Sequence, residues 1–222
     1  MSFLVPPPPA NLADLAQCQL LPAESVLYRT HSRLVPALGF NDRYGAGGRF
    51  HFFDNDRGAT VGVLYAGETP ACAIFESVFH DVPVTPSKKR FRGSRLIGRD
   101  LSMLTTAAAL DLVLVEFHDP GLQALGLRPE RITATTSRHY WRTVAWAKAV
   151  HAQVDWAQGL VWMSARSNTA KSYVLFEDRL AASPFADSDR LHKLDQLDGW
   201  TLVRDLGAAA NIVVSCPSTV VL

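Results

Sequence analysis

Short apolar runs separated by turn-forming residues dominate the first third of the chain. Residues 25–33 begin with Val26, Leu27 and Tyr28 and are predicted to form a strand. Residues 36–48, with glycines at positions 45, 47 and 48, are predicted to form a loop. Two further strands are predicted at 49–53 and 59–65. The polar turn between them is typical of a β-hairpin.

A helix is predicted after the last of these strands. Thr69 can accept hydrogen bonds from the free N–H groups of a first helical turn, and Pro70 is tolerated at the first helical position. Residues 71–79 continue with apolar side chains at helical spacing. The prolines within 82–86 end the helix, because proline lacks the N–H group that a helix requires.

The second half of the chain carries the clearest helical pattern, at 137–153, where Thr136 or Ser137 can cap the first turn. Short helices or turns are predicted at 12–20 and 119–128, whereas 187–205 is mixed and polar and predicts no element. The remaining apolar stretches are predicted strands, at 96–101, 110–117, 160–163, 173–176 and 211–222.

Strands and helices do not alternate regularly in this pattern, so the sequence favours a single α+β domain over a doubly wound sheet. No G-x-G-x-x-G turn leads from a strand into a helix, and no P-loop is present. Four prolines at 6–9 predict a polyproline II segment. We therefore expect a proline-containing N-terminal arm at 1–24 and the folded domain at 25–222.

Composition agrees with one domain. The chain has 222 residues, of which 48% are hydrophobic and 19% charged, which suffices for a sizeable core. The 22 basic and 21 acidic residues give a formal net charge of +1, which argues against direct nucleic-acid binding. The basic cluster at 88–99 has two interpretations, a solvated strand pair or a rim that attracts phosphates or an acidic partner.

The cysteines and the N-terminal residues indicate the cellular compartment in which the protein is expected to fold. Cys18, Cys72 and Cys216 are far apart, so neither a disulfide framework nor a metal site is expected, and a reducing cytoplasm is the natural environment. The N-terminal residues lack the charged and apolar regions of a signal peptide. No apolar run of about 18 residues predicts a membrane span.

Two arginines are candidate anion-binding residues. Arg49 follows two glycines, which allow a backbone to approach a ligand closely, and its guanidinium suits a pyrophosphate. Arg29 follows apolar strand residues, so it is expected to be partly buried and to need an acidic or anionic partner. The alternative for both is an ordinary surface arginine.

Three further side chains are candidates. Tyr65 ends a strand and is either a core tyrosine or a ring that stacks on a planar ligand. Glu76 has apolar neighbours one helical turn away, so its carboxylate either sits in a partly dry site or points to solvent beside His80, which we interpret as a helix-end residue. Ser164 follows a buried strand without a G-x-S-x-G elbow, and it either binds a ligand or caps the strand end.

Taken together, these residues resemble the RES domain family, which is named for an arginine, a glutamate and a serine. The resemblance covers roughly residues 25–177. It is carried by Leu27-Tyr28-Arg29, by Gly48-Arg49-Phe50, by the strand ending in Tyr65, by the helix with Glu76 eleven positions later, and by the run from Gly159 to Arg166. Phe50-His51 stands where the family typically has tryptophan and asparagine.

The resemblance implies a fold similar to that of ADP-ribosyltransferases, a split β-sheet with flanking helices around an NAD cleft. RES proteins are usually toxins of bacterial toxin–antitoxin pairs that break the nicotinamide–ribose bond of NAD, by hydrolysis, by phosphorolysis or by transfer of ADP-ribose to a protein. No metal is expected. The partner is a helix-turn-helix antitoxin whose C-terminal part blocks the cleft.

The resemblance also suggests roles for individual residues. Glu76 would stabilise the positive charge that develops on the ribose. Arg29 and Arg49 would hold the pyrophosphate or ribose. Tyr65 would stack on nicotinamide or fix the ribose, and Ser164 would hydrogen-bond the ribose or the carboxamide. Two alternatives remain at this point, a nucleotide-binding module without catalysis and a protein-interaction domain that uses the proline arm or the basic cluster.

Overall fold

The computed structural model describes residues 5–42, 45, 47–108, 111–180 and 184–220. The strands in these ranges are β1 (Cys18–Leu21), β2 (Val26–Ser32), β3 (Val63–Gly67), β4 (Lys89–Phe91), β5 (Arg99–Thr106), β6 (Leu112–Glu116), β7 (Gly159–Met163), β8 (Lys171–Phe176), β9 (Phe185–Lys193) and β10 (Ile212–Val214). The α-helices are α1 (Leu12–Leu15), α2 (Pro70–Ser77), α3 (Gly121–Ala124), α4 (Tyr140–Gln153) and α5 (Leu197–Ala209). Short 3₁₀ helices lie at Gly93–Leu96, Pro129–Arg131, Ser137–His139 and Glu177–Arg179.

One large sheet organises the domain. Its eight strands lie in the order β1-β6-β7-β8-β3-β2-β5-β9, and a separate two-stranded sheet joins β10 to β4. Neighbours in the large sheet are antiparallel except for the parallel pair β6 and β7. Helices flank this sheet without alternating with its strands, so the predicted α+β class is confirmed.

The large sheet is split between β2 and β3. Among the described residues these strands pair through a single couple, Tyr28 with Gly67. In contrast, β2 pairs with β5 along its whole length, and all five residues of β3 pair with β8. The sheet therefore consists of two well-paired halves joined at one point.

Apolar side chains fill both sides of the sheet. On one side α4 buries Trp146, Ala147 and Val150 in a cluster that also contains Phe50 and Phe117. Their spacing along α4 places them on one helical face. Burial of each large side chain contributes about 1.5–3 kcal/mol, so this cluster fixes α4 against the sheet.

A second cluster packs α2 and α5 together. It includes Ile74 and Phe79 from the α2 region and Val203 from α5. Thr69 accepts a hydrogen bond from the N–H of Cys72 across 3.1 Å, as its predicted capping role requires. Gly67 permits close packing of α2 on β3, because a Cβ at this position would lie 2.8 Å from the backbone nitrogen of Ala73.

Two sequence predictions differ from the structure. The hairpin predicted at 49–53 and 59–65 is reduced to an isolated bridge between Asp54 and Thr60, beside which the N–H of Val61 donates a 3.0 Å hydrogen bond to the carbonyl of Phe53; the second strand is β3. Phe50 and Phe53 are buried in the core, and the N–H of Phe50 donates to the side chain of Tyr65.

The polar stretch 187–205 is not irregular, since it contains most of β9 and the first part of α5. As an edge strand, β9 is largely exposed and polar, and such strands lack an apolar signature.

Other predicted elements are confirmed within a few residues, namely β2, α2, β6, α4, β7 and β8. The strand predicted at 96–101 overlaps β5 only at 99–101, since Leu96 ends a 3₁₀ helix and β5 continues to Thr106. The predicted helix at 12–20 is shorter, since α1 ends at Leu15 and β1 follows. The predicted strand at 211–222 is reduced to β10, and its last two residues lie outside the described ranges, as does Leu110 of the predicted strand at 110–117.

The N-terminal segment packs on α4. Val5 and Leu12 are fully buried. Trp146 Nε1 donates a 2.7 Å hydrogen bond to the carbonyl of Pro6, and Arg142 donates one of 2.9 Å to the carbonyl of Val5. β1 then pairs with β6 at the edge of the sheet. The division of the chain at residue 24 stays a prediction.

Candidate active site

A cavity of about 530 Å³ opens where β2 and β3 separate. Arg29 and Thr30 line it from β2, and Tyr65 and Ala66 line it from β3. Its volume lies within the range of small-molecule sites, about 300–1,000 Å³. The split in the sheet therefore creates a pocket between its two halves.

Arg49 reaches this cavity from the loop before β3. It is 8% exposed, and its Nη1 donates hydrogen bonds to Thr135, 3.0 Å to the carbonyl and 2.8 Å to Oγ1. The hydroxyl of Thr143 donates to the carbonyl of Arg49. Its guanidinium carbon lies 5.2 Å from the centre of the Tyr140 ring. These contacts fix the arginine and aim a cation at the cavity.

Arg29 is held by the loop that follows β2. Its Nη1 donates 2.7 Å hydrogen bonds to the carbonyls of Ala37 and Gly39. Burial lowers the pKa of Arg29 to about 10, so the side chain is still a cation at neutral pH. Arg29 is buried, and the partners that the structure shows are backbone carbonyls; an anionic partner for Arg29 stays a prediction.

Tyr65 and His51 form a neutral hydrogen-bonded pair in the cavity wall. The Tyr65 hydroxyl accepts a 3.0 Å hydrogen bond from the N–H of Phe50 and lies 3.0 Å from Nδ1 of His51. Burial raises the pKa of Tyr65 and lowers the pKa of His51 to about 4. At neutral pH the phenol is therefore protonated and the imidazole uncharged.

Glu76 projects from α2 into the same cavity. Its Oε1 accepts a 2.6 Å hydrogen bond from Ser164 Oγ and a longer one of 3.4 Å from the N–H of Arg166. These hydrogen bonds fix the orientation of the carboxylate. The structure thus presents an anchored negative group to the cavity.

Ser164 stands behind Glu76. It follows β7, is 1% exposed, and is not among the residues that line the cavity. Besides donating to Glu76, its Oγ accepts hydrogen bonds from the N–H groups of Arg166 (3.2 Å) and Ser167 (2.8 Å). Direct contact between Ser164 and a ligand stays a prediction, and its hydrogen bonds favour a positioning role.

The structure therefore brings Arg29, Arg49, Tyr65 and Glu76 to one cavity. Among its charged lining residues are four arginines and two carboxylates, which gives an excess of two positive charges (4 − 2 = 2) without the histidines. These residues are Arg29, Arg49, Arg95, Arg99, Glu76 and Asp81. Such a lining suits an anionic ligand such as a diphosphate.

Sequence reasoning missed a second polar group in the cavity. His80, treated as a helix-end residue, has its Nε2 2.6 Å from the hydroxyl of Tyr140 and its Nδ1 2.8 Å from Oδ1 of Asp81. Tyr140 is one of the apolar positions whose spacing predicts the helix at 137–153. Its place at the start of that helix, where a side chain can reach a neighbouring loop, was the available signal.

Two features of residues 5–42, 45, 47–108, 111–180 and 184–220 bear on metals and membranes. Across these ranges no three His, Cys, Asp or Glu side chains are grouped so that they could hold a metal ion. None of the helices in the same ranges has the length and apolarity needed to cross a bilayer.

Comparison with known proteins supports the fold. A chain of the M. tuberculosis MbcT–MbcA toxin–antitoxin complex has a similar structure, with a TM-score of 0.52 and 16% sequence identity. The alignment covers 88% of this chain and 93% of that chain. No curated protein matches the sequence. The predicted α+β architecture, a large sheet with flanking helices in one domain, is thereby confirmed.

The family model for the RES domain matches residues 26–195, which is most of the chain. The match includes the candidate residues on β2, β3 and α2, and it extends past the predicted limit at 177. This protein belongs to the RES domain family.

Proposed function

We propose that this protein is the toxin of a bacterial toxin–antitoxin pair and that it consumes NAD by breaking the bond between nicotinamide and ribose. NAD is its substrate, and the cytoplasm, which holds NAD, is its site of action. The acceptor of the ADP-ribose group is water, phosphate or a protein side chain.

One observation carries the proposal. Arg29, Arg49, Tyr65 and Glu76, chosen from sequence as members of one site, all line a single cavity at the split of the sheet. Its positive lining suits the diphosphate of a dinucleotide, and its volume suits a ligand bound in part or in full.

The reaction needs a negative group at the ribose. When the N-glycosidic bond breaks, the electron pair leaves with nicotinamide and positive charge develops at the anomeric carbon. The carboxylate of Glu76 stabilises this charge, and the hydrogen bond from Ser164 keeps it oriented before the reaction.

Arg29 and Arg49 hold the diphosphate, which positions the ribose against Glu76. Tyr65 packs against nicotinamide or the ribose.

Membership of the RES family supports the consumption of NAD, because RES domain toxins are generally NAD-processing enzymes. The structural neighbour is a chain of a toxin–antitoxin complex, which supports an antitoxin as partner. We further propose that this antitoxin is a helix-turn-helix protein whose C-terminal part covers the cavity. Co-purification with the product of the adjacent reading frame, and rescue of lethal expression by it, test this partner.

Purified protein mixed with NAD tests the activity. We expect release of nicotinamide, and Glu76→Gln should lower kcat by about 10²- to 10³-fold, since such losses follow removal of one electrostatic stabiliser. Circular dichroism verifies folding of the variant. Binding of NAD in calorimetry without nicotinamide release would instead favour a non-catalytic nucleotide-binding module. Neither binding nor release, with capture of a protein by residues 1–24, would favour an interaction domain.

A further inference from the structure

The cavity wall carries a chain of three titratable side chains that the proposed role of Glu76 does not use. Tyr140, at the start of α4, has its hydroxyl 2.6 Å from Nε2 of His80. The other imidazole nitrogen, Nδ1, lies 2.8 Å from Oδ1 of Asp81. All three residues line the cavity together with Glu76.

The chemistry of these contacts fixes the position of the protons. An ionised carboxylate only accepts hydrogen bonds, so Nδ1 of His80 carries the hydrogen that faces Asp81. In the neutral ring, Nε2 is then an acceptor, and the hydroxyl of Tyr140 donates to it. The Tyr140 oxygen keeps lone pairs that can accept a hydrogen bond from a group in the cavity.

The ionisation states needed for this arrangement are favoured. The hydrogen bond from His80 is the largest influence that lowers the pKa of Asp81, which keeps the carboxylate charged. Burial raises the pKa of Tyr140, which keeps the phenol protonated at neutral pH. In the neutral ring of His80, Nε2 has the lone pair that faces the Tyr140 hydroxyl, so His80 is the member of the chain that can accept its proton.

We propose that Tyr140, His80 and Asp81 form a proton relay that deprotonates the acceptor as it attacks the ribose. The inference rests on the proposed cleavage of NAD. The acceptor oxygen forms a bond to the anomeric carbon while the bond to nicotinamide breaks. Its proton passes to the Tyr140 oxygen, and the Tyr140 proton passes to Nε2 of His80. The imidazolium, paired with Asp81, later releases that proton to solvent.

This relay indicates the class of acceptor. Water and hydroxyl groups must lose a proton to form the product, whereas a phosphate dianion attacks through an oxygen that carries no proton. A relay of this kind assists only the first class. With water as acceptor, the reaction converts NAD⁺ and water into ADP-ribose, nicotinamide and one proton, and the relay is the route for that proton.

Glu76 is less suited to the same task. Its Oε1 already accepts hydrogen bonds from Ser164 and from the N–H of Arg166, so this oxygen is occupied. In this proposal Glu76 supplies a fixed negative charge, and His80 is a separate proton acceptor.

Several charged and titratable groups face His80. Nη2 of Arg95 lies 3.6 Å from Oδ2 of Asp81, and Arg166 donates a hydrogen bond to the carbonyl of His80 from the loop after β7. Glu76 on α2 shares the cavity, and the phenol of Tyr140 faces the ring from α4. A pH profile of kcat therefore reports this whole set of groups.

The test compares two acceptors in His80→Gln and Tyr140→Phe. With water as acceptor, we expect kcat to fall about 10²-fold or more, the usual contribution of general acid–base catalysis, with little change in KM. With azide, an anionic acceptor that needs no deprotonation, the rate should stay within about threefold of wild type because the step that needs the relay is absent. The acidic limb of the kcat profile should also disappear in His80→Gln.

A matched control lies on β9. His192 makes the same type of contact, with Nδ1 2.7 Å from Oδ2 of Asp198, but it does not line the cavity. His192→Gln should leave both reactions unchanged. Equal losses with water and azide in His80→Gln, or no loss with water, would overturn the relay.

Failure of the proposed function is a separate result. If the wild-type protein releases no nicotinamide from NAD, cleavage of NAD is refuted, and nitrogen NMR of labelled histidine still tests the relay. A neutral ring protonated at Nδ1, with a pKa that changes in Tyr140→Phe, supports the hydrogen-bonded chain. A ring protonated at Nε2 overturns it.

Discussion

Ser164 and Glu76, which lie 88 positions apart in the chain, are joined by a 2.6 Å hydrogen bond from Oγ to Oε1. The bond ties the end of β7 to the face of α2. Because Ser164 also accepts hydrogen bonds from two following N–H groups, its hydroxyl can point only toward the carboxylate. The serine and the glutamate that carry the resemblance to the family are therefore joined by a direct contact.

Replacement of Ser164 by alanine tests this coupling. A hydrogen bond to a charged group contributes about 1.5–3 kcal/mol, so we expect kcat for nicotinamide release to fall about 10- to 100-fold. KM for NAD should change little, because Ser164 does not line the cavity. Ser188→Ala, on the exposed edge strand, is the control. A rise in KM at constant kcat would show that Ser164 contacts the substrate instead.

Replacement of Arg49 by lysine is expected to weaken the binding of NAD. Its Nη1 donates to the carbonyl and hydroxyl of Thr135, and a lysine cannot reproduce the planar fork that satisfies these atoms and also faces the cavity. Calorimetry with NAD should show about tenfold weaker binding, equal to roughly 1.4 kcal/mol. Arg57→Lys, in the exposed turn before β3, is the control. Unchanged affinity in Arg49→Lys would remove Arg49 from the binding site.

Protonation of His51 should make the fold sensitive to mild acid. Burial lowers the pKa of His51 from its ordinary 6.5 to about 4, so the unfolded chain binds this proton first as pH falls. The contribution of the neutral His51 ring to the free energy of unfolding is fully present above pH 6.5. It decreases as pH falls from 6.5 toward 4, by up to roughly 3 kcal/mol.

Urea unfolding of wild type and His51→Gln at several pH values in this window measures the effect. Burial also lowers the pKa of His31, which contributes in the same direction to both proteins, so the difference between them isolates His51. Parallel stability curves for the two proteins would contradict the assignment.

The N-terminal segment is expected to contribute to global stability. Leu12 is fully buried in the cluster that contains Trp146, so Leu12→Ala should lower the free energy of unfolding by about 2–5 kcal/mol. Leu34→Ala is the control, since Leu34 is 83% exposed. Urea denaturation measures both. A change below about 0.5 kcal/mol in Leu12→Ala, typical of a surface substitution, would show that the segment is not part of the cooperative unit.

The sequence predicts elements well where burial gives a strong periodic signal. α4 and β8 were found because their buried residues recur regularly or form a continuous run. β9 was missed because an edge strand exposes most of its side chains. A strand was predicted at 49–53 because aromatic residues such as Phe50 and Phe53 are common in strands. In the structure these two residues belong to a loop and are buried in the core.

The candidate site could be predicted from sequence only in part, because contacts between distant residues leave no local pattern. Arg29, Arg49, Tyr65 and Glu76 were identified by the resemblance of their surroundings to a family pattern, and no local property of any one residue would have sufficed. His80 and Tyr140 were missed because their meeting depends on where α4 packs. That position is set by distant core contacts such as those of Trp146, which no local spacing encodes.

The single backbone couple between Tyr28 and Gly67 has a mechanical consequence. A dinucleotide that contacts Arg29 on β2 and Tyr65 on β3 would connect the two halves of the large sheet. We therefore expect amide hydrogen exchange along this seam to be fast in the empty protein and to slow on ligand binding, even at positions that touch no ligand.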